Sequence, residues 1–258
     1  MKVRLLTKTV GAIGTEYEGK TIDEIITGIA RISSSREINE LFDEPHKLLR
    51  HCVSYGHWSV FTTCNLGFEI TTSRAMGREI LRHKSAEFQE FSQRYSSATE
   101  FEDVELREQA ANNRQSSTEI INPVIYDEMY MRIDANNFVD LTIKGVNEAY
   151  QILLEKNIAR ECARMILPET TQTVIYMNGN IRTWITFFNQ RLHQTAQKEI
   201  RLVAEAIKDI FIQECPIISK MLFNFEDAYD IHILDKVILE KFGVFDIIKD
   251  NKFKKIKK

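Results

Sequence analysis

Three observations predict an α+β domain. Apolar residues recur at helical spacing over most of the chain, two well-separated stretches carry strand patterning instead, and helices flank these non-consecutive strands. Ten glycines and four prolines in 258 residues leave no linker, repeat or low-complexity stretch. One domain over residues 1–258 is therefore expected, and 43% hydrophobic content can fill its core.

Taken in order, residues 21–31 place Ile22, Ile25, Ile26 and Ile29 on one helical face, and residues 37–55 do the same with Leu41, Leu48, Leu49 and Cys52. Next, Cys64, Leu66, Phe68 and Ile70 alternate with Asn65, Gly67, Glu69 and Thr71, the period of a half-buried strand. Ser73 suits the cap of a following helix that holds Arg74, Arg78 and Arg82 at four-residue steps. Like charges so spaced repel by a few tenths of a kcal/mol per pair, so either an anion or a solvated, acid-paired face is expected there. The polar stretch at about 100–137 predicts a loop insertion with short helical pieces. Helical spacing returns over 137–155 and 157–166 and stops before Pro168. Residues 171–177 form a β-branched, aromatic run that predicts a strand, and Asn178-Gly179 predicts a turn. A long amphipathic helix is expected from about Ile181 to Phe211, and a solvated basic tail at about 250–258.

A net charge of −3 with interspersed signs gives no nucleic-acid-like footprint, so any bound anion is held locally. Cys52, Cys64, Cys162 and Cys215 are widely spaced, which argues against a disulfide framework or a zinc site and predicts reduced, buried thiols. His46, His51 and His57 do not share a helical face, and no metal is assigned. The N-terminus lacks the apolar core of a signal peptide and no run is long enough to cross a bilayer, so a cytoplasmic protein is expected.

Polar chemistry concentrates in the fourteen residues from Arg82 to Tyr95, which hold three cations, a histidine, two carboxylates, two amides and two serine hydroxyls. Arg82-His83-Lys84, seven further residues, then Ser92 and Arg94 resemble the signature of the flavin-dependent thymidylate synthases, with Lys84 where a third arginine is usual. Gly56-His57-Trp58-Ser59-Val60-Phe61, Arg160-Glu161-Cys162-Ala163-Arg164 through Leu167-Pro168, and Asn180-Ile181-Arg182 through Asn189-Gln190-Arg191 to Ile200 resemble further elements of that family in the same order. The resemblance runs from about Ala30 to Pro216. It implies the thymidylate synthase-complementing protein fold, a central, mostly antiparallel sheet flanked by helices. It also implies a homotetramer with sites between subunits. The implied activity is reductive methylation of dUMP to dTMP. Methylenetetrahydrofolate gives the carbon, NADPH reduces through FAD, and tetrahydrofolate leaves.

By this resemblance the dUMP site comprises Glu79, Arg82, Glu90, Phe91, Ser92, Gln93, Arg94, Arg164 and Arg191, and FAD is held by Ser59, Arg82, His83, Lys84, Glu90, Asn180, Arg182 and Thr186. The chemistry is compatible, since an arginine fork matches phosphate oxygens in pairs. Arg191 is the catalytic candidate, because a placed guanidinium can polarise uracil without a covalent bond. Read alone, Arg191 also suits an exposed helix arginine, and Ser92 a turn or cap serine; no nucleophile elbow surrounds Ser92. No Rossmann glycine fingerprint is present, so FAD is not expected in that mode. Thr62 stands where an acid is frequent in the family, and Thr186 where an asparagine can meet FAD. Two rival functions are a flavin-using methyltransferase acting on uracil in RNA and a non-catalytic nucleic-acid-binding protein.

Overall fold

The computed structural model describes residues 1–33, 40–97, 100–126 and 132–223; the basic tail and residues 37–39 of the helix expected over 37–55 lie outside these residues, and residues 40–44 of that stretch form turns, so the helix starts only at Pro45. Along the first half run β1 (Lys2–Lys8), α1 (Ile22–Arg31), α2 (Pro45–Ser54), a 3-10 turn (Trp58–Thr62), β2 (Asn65–Ser73), α3 (Arg74–Ile80) and β3 (Glu87–Glu90). Then follow β4 (Arg107–Gln109), β5 (Ser117–Ile120), β6 (Val124–Tyr126), β7 (Arg132–Asp134), α4 (Ala135–Glu155), α5 (Arg160–Ala163) and a 3-10 turn (Arg164–Ile166). The last described elements are β8 (Gln172–Asn180), α6 (Ile181–Arg191), α7 (Lys198–Glu214) and α8 (Pro216–Phe223).

An antiparallel sheet of order β1-β2-β8-β3 is flanked by helices, the α+β architecture expected. Leu66, Phe68, Ile70 and Thr72 are buried along β2, and Thr173, Ile175, Met177 and Gly179 along β8, so one face of each strand points inward. Register on the β3 edge is antiparallel, with Phe88 opposite Met177 and Glu90 opposite Ile175.

Packing divides the chain into two compact units, the first formed by Met1–Leu6, Gly67–Asn178 and Phe187–Ile207, the second by Thr7–Leu66, Gly179–Thr186 and the described residues from Lys208. In the first, Phe68, Ile70, Met76, Ile80, Ile175, Met177, Phe187, Ile200 and Val203 are buried, each contributing about 1.5–3 kcal/mol of transfer free energy. Ser73 caps α3 as expected, its hydroxyl accepting from Met76 N at 3.3 Å. In the second, Ile25, Ile26, Leu49, Phe61, Trp184, Phe211 and Ile218 are buried. Thr21 and Glu24 form a reciprocal capping box at the start of α1. From the same helix, buried Asp23 accepts the Ile217 and Ile218 amides at 2.7 and 3.3 Å and so closes the first turn of α8.

Five further expectations change. The helix expected through Phe211 breaks after Arg191, because His193 Nδ1 accepts the Thr195 amide at 3.2 Å and the Ala196 amide turns back onto His193 O. Asn178-Gly179 makes no turn; β8 runs straight through it. Gly179 is required by close approach instead, since a Cβ there would lie 2.8 Å from Thr183 Cγ2. The 100–137 segment contains two antiparallel pairs, β4 with β5 and β6 with β7, rather than helical pieces. Its turn is knitted by Gln109 Nε2, which donates to Asn113 O and Ser116 O. Arg82 lies beyond α3, so the three arginines do not share one helical face. The helix expected at 157–166 is only the short α5 and its 3-10 turn.

Candidate active site

In the first unit the site is built where α3, the turn into β3 and the end of α6 bring polar groups together. Arg191 Nε donates to His83 Nε2 at 2.9 Å, Nη1 to Glu79 Oε2 at 2.5 Å, and Nη2 to the Glu79 carbonyl at 3.0 Å. A guanidinium has donors only, so His83 Nε2 is the acceptor and the ring proton sits on Nδ1. Burial first, and the Arg191 cation second, push the His83 pKa down to about 4, which keeps the ring neutral at physiological pH. Its ring centroid is 4.9 Å from that of Phe187. His83, matched by resemblance to the flavin set, thus faces the catalytic candidate. Two of the five guanidinium N–H groups have no partner among the described residues.

Gln93 is 3% exposed and its Oε1 accepts from Arg74 Nη1 at 2.7 Å. That bond fixes the amide, and Nε2 is left without a partner among the described residues. The Arg164 Nε is buried and likewise unpartnered. A buried unpaired donor costs about 1–3 kcal/mol, so each suits an acceptor brought by a ligand. Arg94 pairs with Glu161 at 3.3 Å on the surface, a contact weak enough for a phosphate to replace. The half-buried Ser92 opens a turn in which its carbonyl accepts from Tyr95 N and Ser96 N and its hydroxyl from Arg94 N at 3.4 Å. Glu90, on the sheet edge, accepts from Thr173 Oγ1 at 2.8 Å, and the Phe91 amide donates to Val174 O at 2.8 Å. Arg82 and Lys84 are exposed and have no ion pair among the described residues. Arg78, by contrast, pairs with Glu169 at 2.9 Å, the solvated-face reading of that helix.

In the second unit Ser59 lines a cleft of about 610 Å³ with Arg31, Ser33, Lys47, His51 and His57. Thr62, at the position where the family often has an acid, donates to Ser59 O at 2.6 Å. Asn180 caps α6, its Oδ1 accepting from Thr183 N at 2.9 Å and from Thr183 Oγ1 at 3.1 Å. Arg182 projects exposed from the first turn, and the Thr186 hydroxyl is turned back onto the Arg182 carbonyl at 3.0 Å.

Arg74, which the sequence sets among three arginines suited to an anion, orients Gln93 instead, and Thr173, which sequence reasoning missed, orients Glu90 across the β3–β8 pairing that no local pattern records. It also misplaced Cys162, which is exposed on α5; Cys52, Cys64 and Cys215 are buried as expected. The short α5 has too little surface to cover this thiol. Burial raises the Cys64 thiol to about 11 and lifts Cys215 well above its ordinary range, so neither supplies a thiolate. Among the described residues no cluster of histidine, cysteine and carboxylate suits a metal, and no helix is long and apolar enough to cross a membrane.

The family profile of the thymidylate synthase complementing protein matches residues 15–217. The chain belongs to this family. Among its relatives, the flavin-dependent thymidylate synthase of Synechocystis sp. is 39% identical over 222 residues, covering 86% of this chain and 99% of the relative. The probable flavin-dependent thymidylate synthase of Paramecium bursaria Chlorella virus 1 is 39% identical over 204 residues, 78% of this chain and 91% of the relative. In fold the chain is similar to a UMP/dUMP methylase of Streptomyces cacaoi solved with 5-bromo-dUMP, at TM-score 0.64 and 23% identity over 86% of this chain and 94% of that one. Family membership accounts for the match of the Arg82-His83-Lys84 to Ser92 signature, and the lysine is a departure within it.

Proposed function

We propose that the protein is a flavin-dependent thymidylate synthase that methylates dUMP reductively to dTMP, with methylenetetrahydrofolate as carbon donor, NADPH as reductant through FAD, and tetrahydrofolate as product. The observation that carries this reading is the fixed Arg191, held at three donors and retaining two more. Uracil C5 becomes nucleophilic when charge accumulates on the ring carbonyls or N3. A guanidinium already in place stabilises that charge without reorganising.

The residues assigned to dUMP fit a nucleotide monophosphate. Ser92, Arg94 and Arg164 offer hydroxyl and guanidinium donors to the phosphate, and the buried Gln93 amide offers another. Glu79, Arg82, Glu90 and Phe91 complete the site by family likeness. For FAD, Arg82, Lys84 and Arg182, exposed and without an ion pair among the described residues, and Ser59 are assigned by family likeness as the cationic and hydrogen-bonding groups a dinucleotide needs. His83, Glu90, Asn180 and Thr186 belong to the same set by family likeness. FAD, when bound, would supply the hydride, drawn from NADPH, that takes the carbon transferred to the nucleotide from the methylene level to methyl. A single domain and a homotetramer with sites between subunits are part of this proposal, the latter supported by the exposed apolar face of α4. So is a cytoplasmic location, in keeping with four free thiols.

The test is the purified protein itself. A yellow preparation whose visible absorbance bleaches anaerobically with NADPH and dUMP, and which turns free dUMP into dTMP, is the expected result. Activity confined to RNA would replace the substrate, and a colourless protein that FAD cannot reconstitute would reject the reading.

A further inference from the structure

Resting on that reading, we propose that Arg107, in the inserted β4–β5 hairpin, is a positioning residue for Arg191, acting through the start of α7. Arg107 opens β4, and its side chain is only 12% exposed. Its Nε donates to Ser117 Oγ across the hairpin at 2.9 Å, its Nη1 to Glu105 Oε1 at 2.7 Å, and its Nη2 to Glu199 Oε1 at 2.7 Å. Glu199 stands in the first turn of α7, and beside it Lys198 donates to both oxygens of Glu105 at 2.6 and 2.9 Å. One planar guanidinium thus bridges a carboxylate of the hairpin and a carboxylate of the helix, and a second cation ties the same two elements together. Charges joined in a network around a nearly buried arginine hold a geometry that an isolated surface pair does not.

What this clasp holds is the chain that leaves Arg191. Arg191 is the last residue of α6 and Lys198 the first of α7, with residues 192–197 between them. That connection is bonded along its length. The Leu192 amide donates to Phe188 O at 3.0 Å, the Ala196 amide to His193 O at 3.0 Å, and the Arg201 amide to Gln197 O at 3.1 Å. From α7, Arg201 Nη1 also donates to Gln194 O at 3.1 Å. A shift at the start of α7 is therefore carried back to Arg191 rather than absorbed in slack chain. Glu79 and His83 meet the head of the Arg191 side chain, and the clasp steadies the backbone from which it springs. A preorganised cation is effective only where it is placed, and a misplacement of about 1 Å arising far from the chemistry can cost on the order of a hundredfold in rate. The hairpin so takes part in the reaction although none of its residues is assigned to a ligand.

The test compares Arg107→Met with the parent as FAD-loaded enzymes, and makes the same change in an Arg191→Ala background. Flavin content, dUMP affinity from the shift of flavin absorbance, the single-turnover rate of dTMP formation and amide hydrogen exchange over residues 188–200 are measured. Arg107→Met is expected to keep its flavin, bind dUMP within about threefold of the parent, exchange faster over 192–199, and form dTMP roughly tenfold more slowly. In the Arg191→Ala background the same change should alter the rate by less than about twofold, because a residue that acts through Arg191 has nothing left to act on. An equal slowing in both backgrounds would make Arg107 independent of Arg191 and overturn the proposal. So would loss of flavin, an unchanged rate, or unchanged exchange over 192–199 in Arg107→Met. Should Arg107→Met not fold, Lys198→Met removes the more exposed cation and carries the same expectations with a slowing of about two- to fivefold. A parent enzyme that binds FAD but leaves dUMP unmethylated would instead defeat the functional reading, while the exchange measurement would still report on the clasp.

Discussion

At the residue scale, the charge of a side chain and what already holds it decide what it can do for a ligand. Arg191→Ala removes the placed cation and should lower dTMP formation by about 10²–10³-fold, the cost of deleting one preorganised electrostatic donor. Flavin absorbance should stay unchanged, because the cations proposed for FAD lie elsewhere; a colourless variant would move Arg191 into the cofactor site. Lys84 is the simpler case. Exposed and unpaired among the described residues, it holds its charge without a fork, so Lys84→Arg adds a second prong at no packing cost. Flavin titration of that variant should give equal or tighter binding, and a large loss would show a site shaped around the ammonium. What the sequence disclosed at this scale was residue type in pattern: the clustered cations, the hydroxyl and the amide are all legible in order along the chain. What it withheld was partnership. Nothing in the spacing of Glu79, His83 and Arg191 announces that they meet, since the contact spans more than a hundred residues.

At the scale of elements, β2 was legible because alternation with one buried face has a period of two that nothing else produces, and the α3 cap because serine before a helix has one strong use. The β4–β5 and β6–β7 pairs were not, because short surface strands bury little and their polar side chains carry no periodic signal. Gly179 was misread for a related reason: local propensity marks a turn, whereas the close approach of α6 is a tertiary fact. Gly179→Ala should therefore destabilise the protein by about 1–3 kcal/mol in urea unfolding, because Thr183 is held by Asn180 and cannot yield cheaply. Asp23 gives a pH signature at the same scale. Burial raises its pKa from 3.8 to about 6, against the lowering effect of the Ile217 and Ile218 amides. The native state therefore holds this proton more tightly than the unfolded chain does. The associated stability is present in full below about pH 4 and is lost as pH rises through about 6, on the order of 3 kcal/mol. Asp23→Asn abolishes the titration. The stability of the parent relative to Asp23→Asn should fall across that window, and a flat difference in unfolding free energy from pH 4 to 7 would refute it.

At the scale of the whole molecule, the family was legible from ordered motifs, but the assembly has to be argued from surface. Of the 21 residues of α4, only Tyr150 is buried. Phe138, Leu141 and Ile152 are exposed, with Gly145 and Ala149 between them, at steps of three and four that set all five along one stripe. A solvated helix has no use for such a stripe, whereas a helix of another subunit, in the assembly proposed, would bury it. The open space around Gly145 lets two backbones approach closely there. Each large side chain so covered contributes about 1.5–3 kcal/mol of transfer free energy, and four copies would share the gain symmetrically. Leu141, at 59% exposure, is the most open of the three large residues and the best probe. In light scattering coupled to size exclusion, the parent should run as a tetramer. Leu141→Glu should shift it to smaller species, because a carboxylate cannot be buried there unpaired. Unfolding of the smaller species should remain cooperative, since Leu141 takes no part in the buried core. A parent that runs as a monomer, or a variant still tetrameric, would remove α4 from any subunit contact.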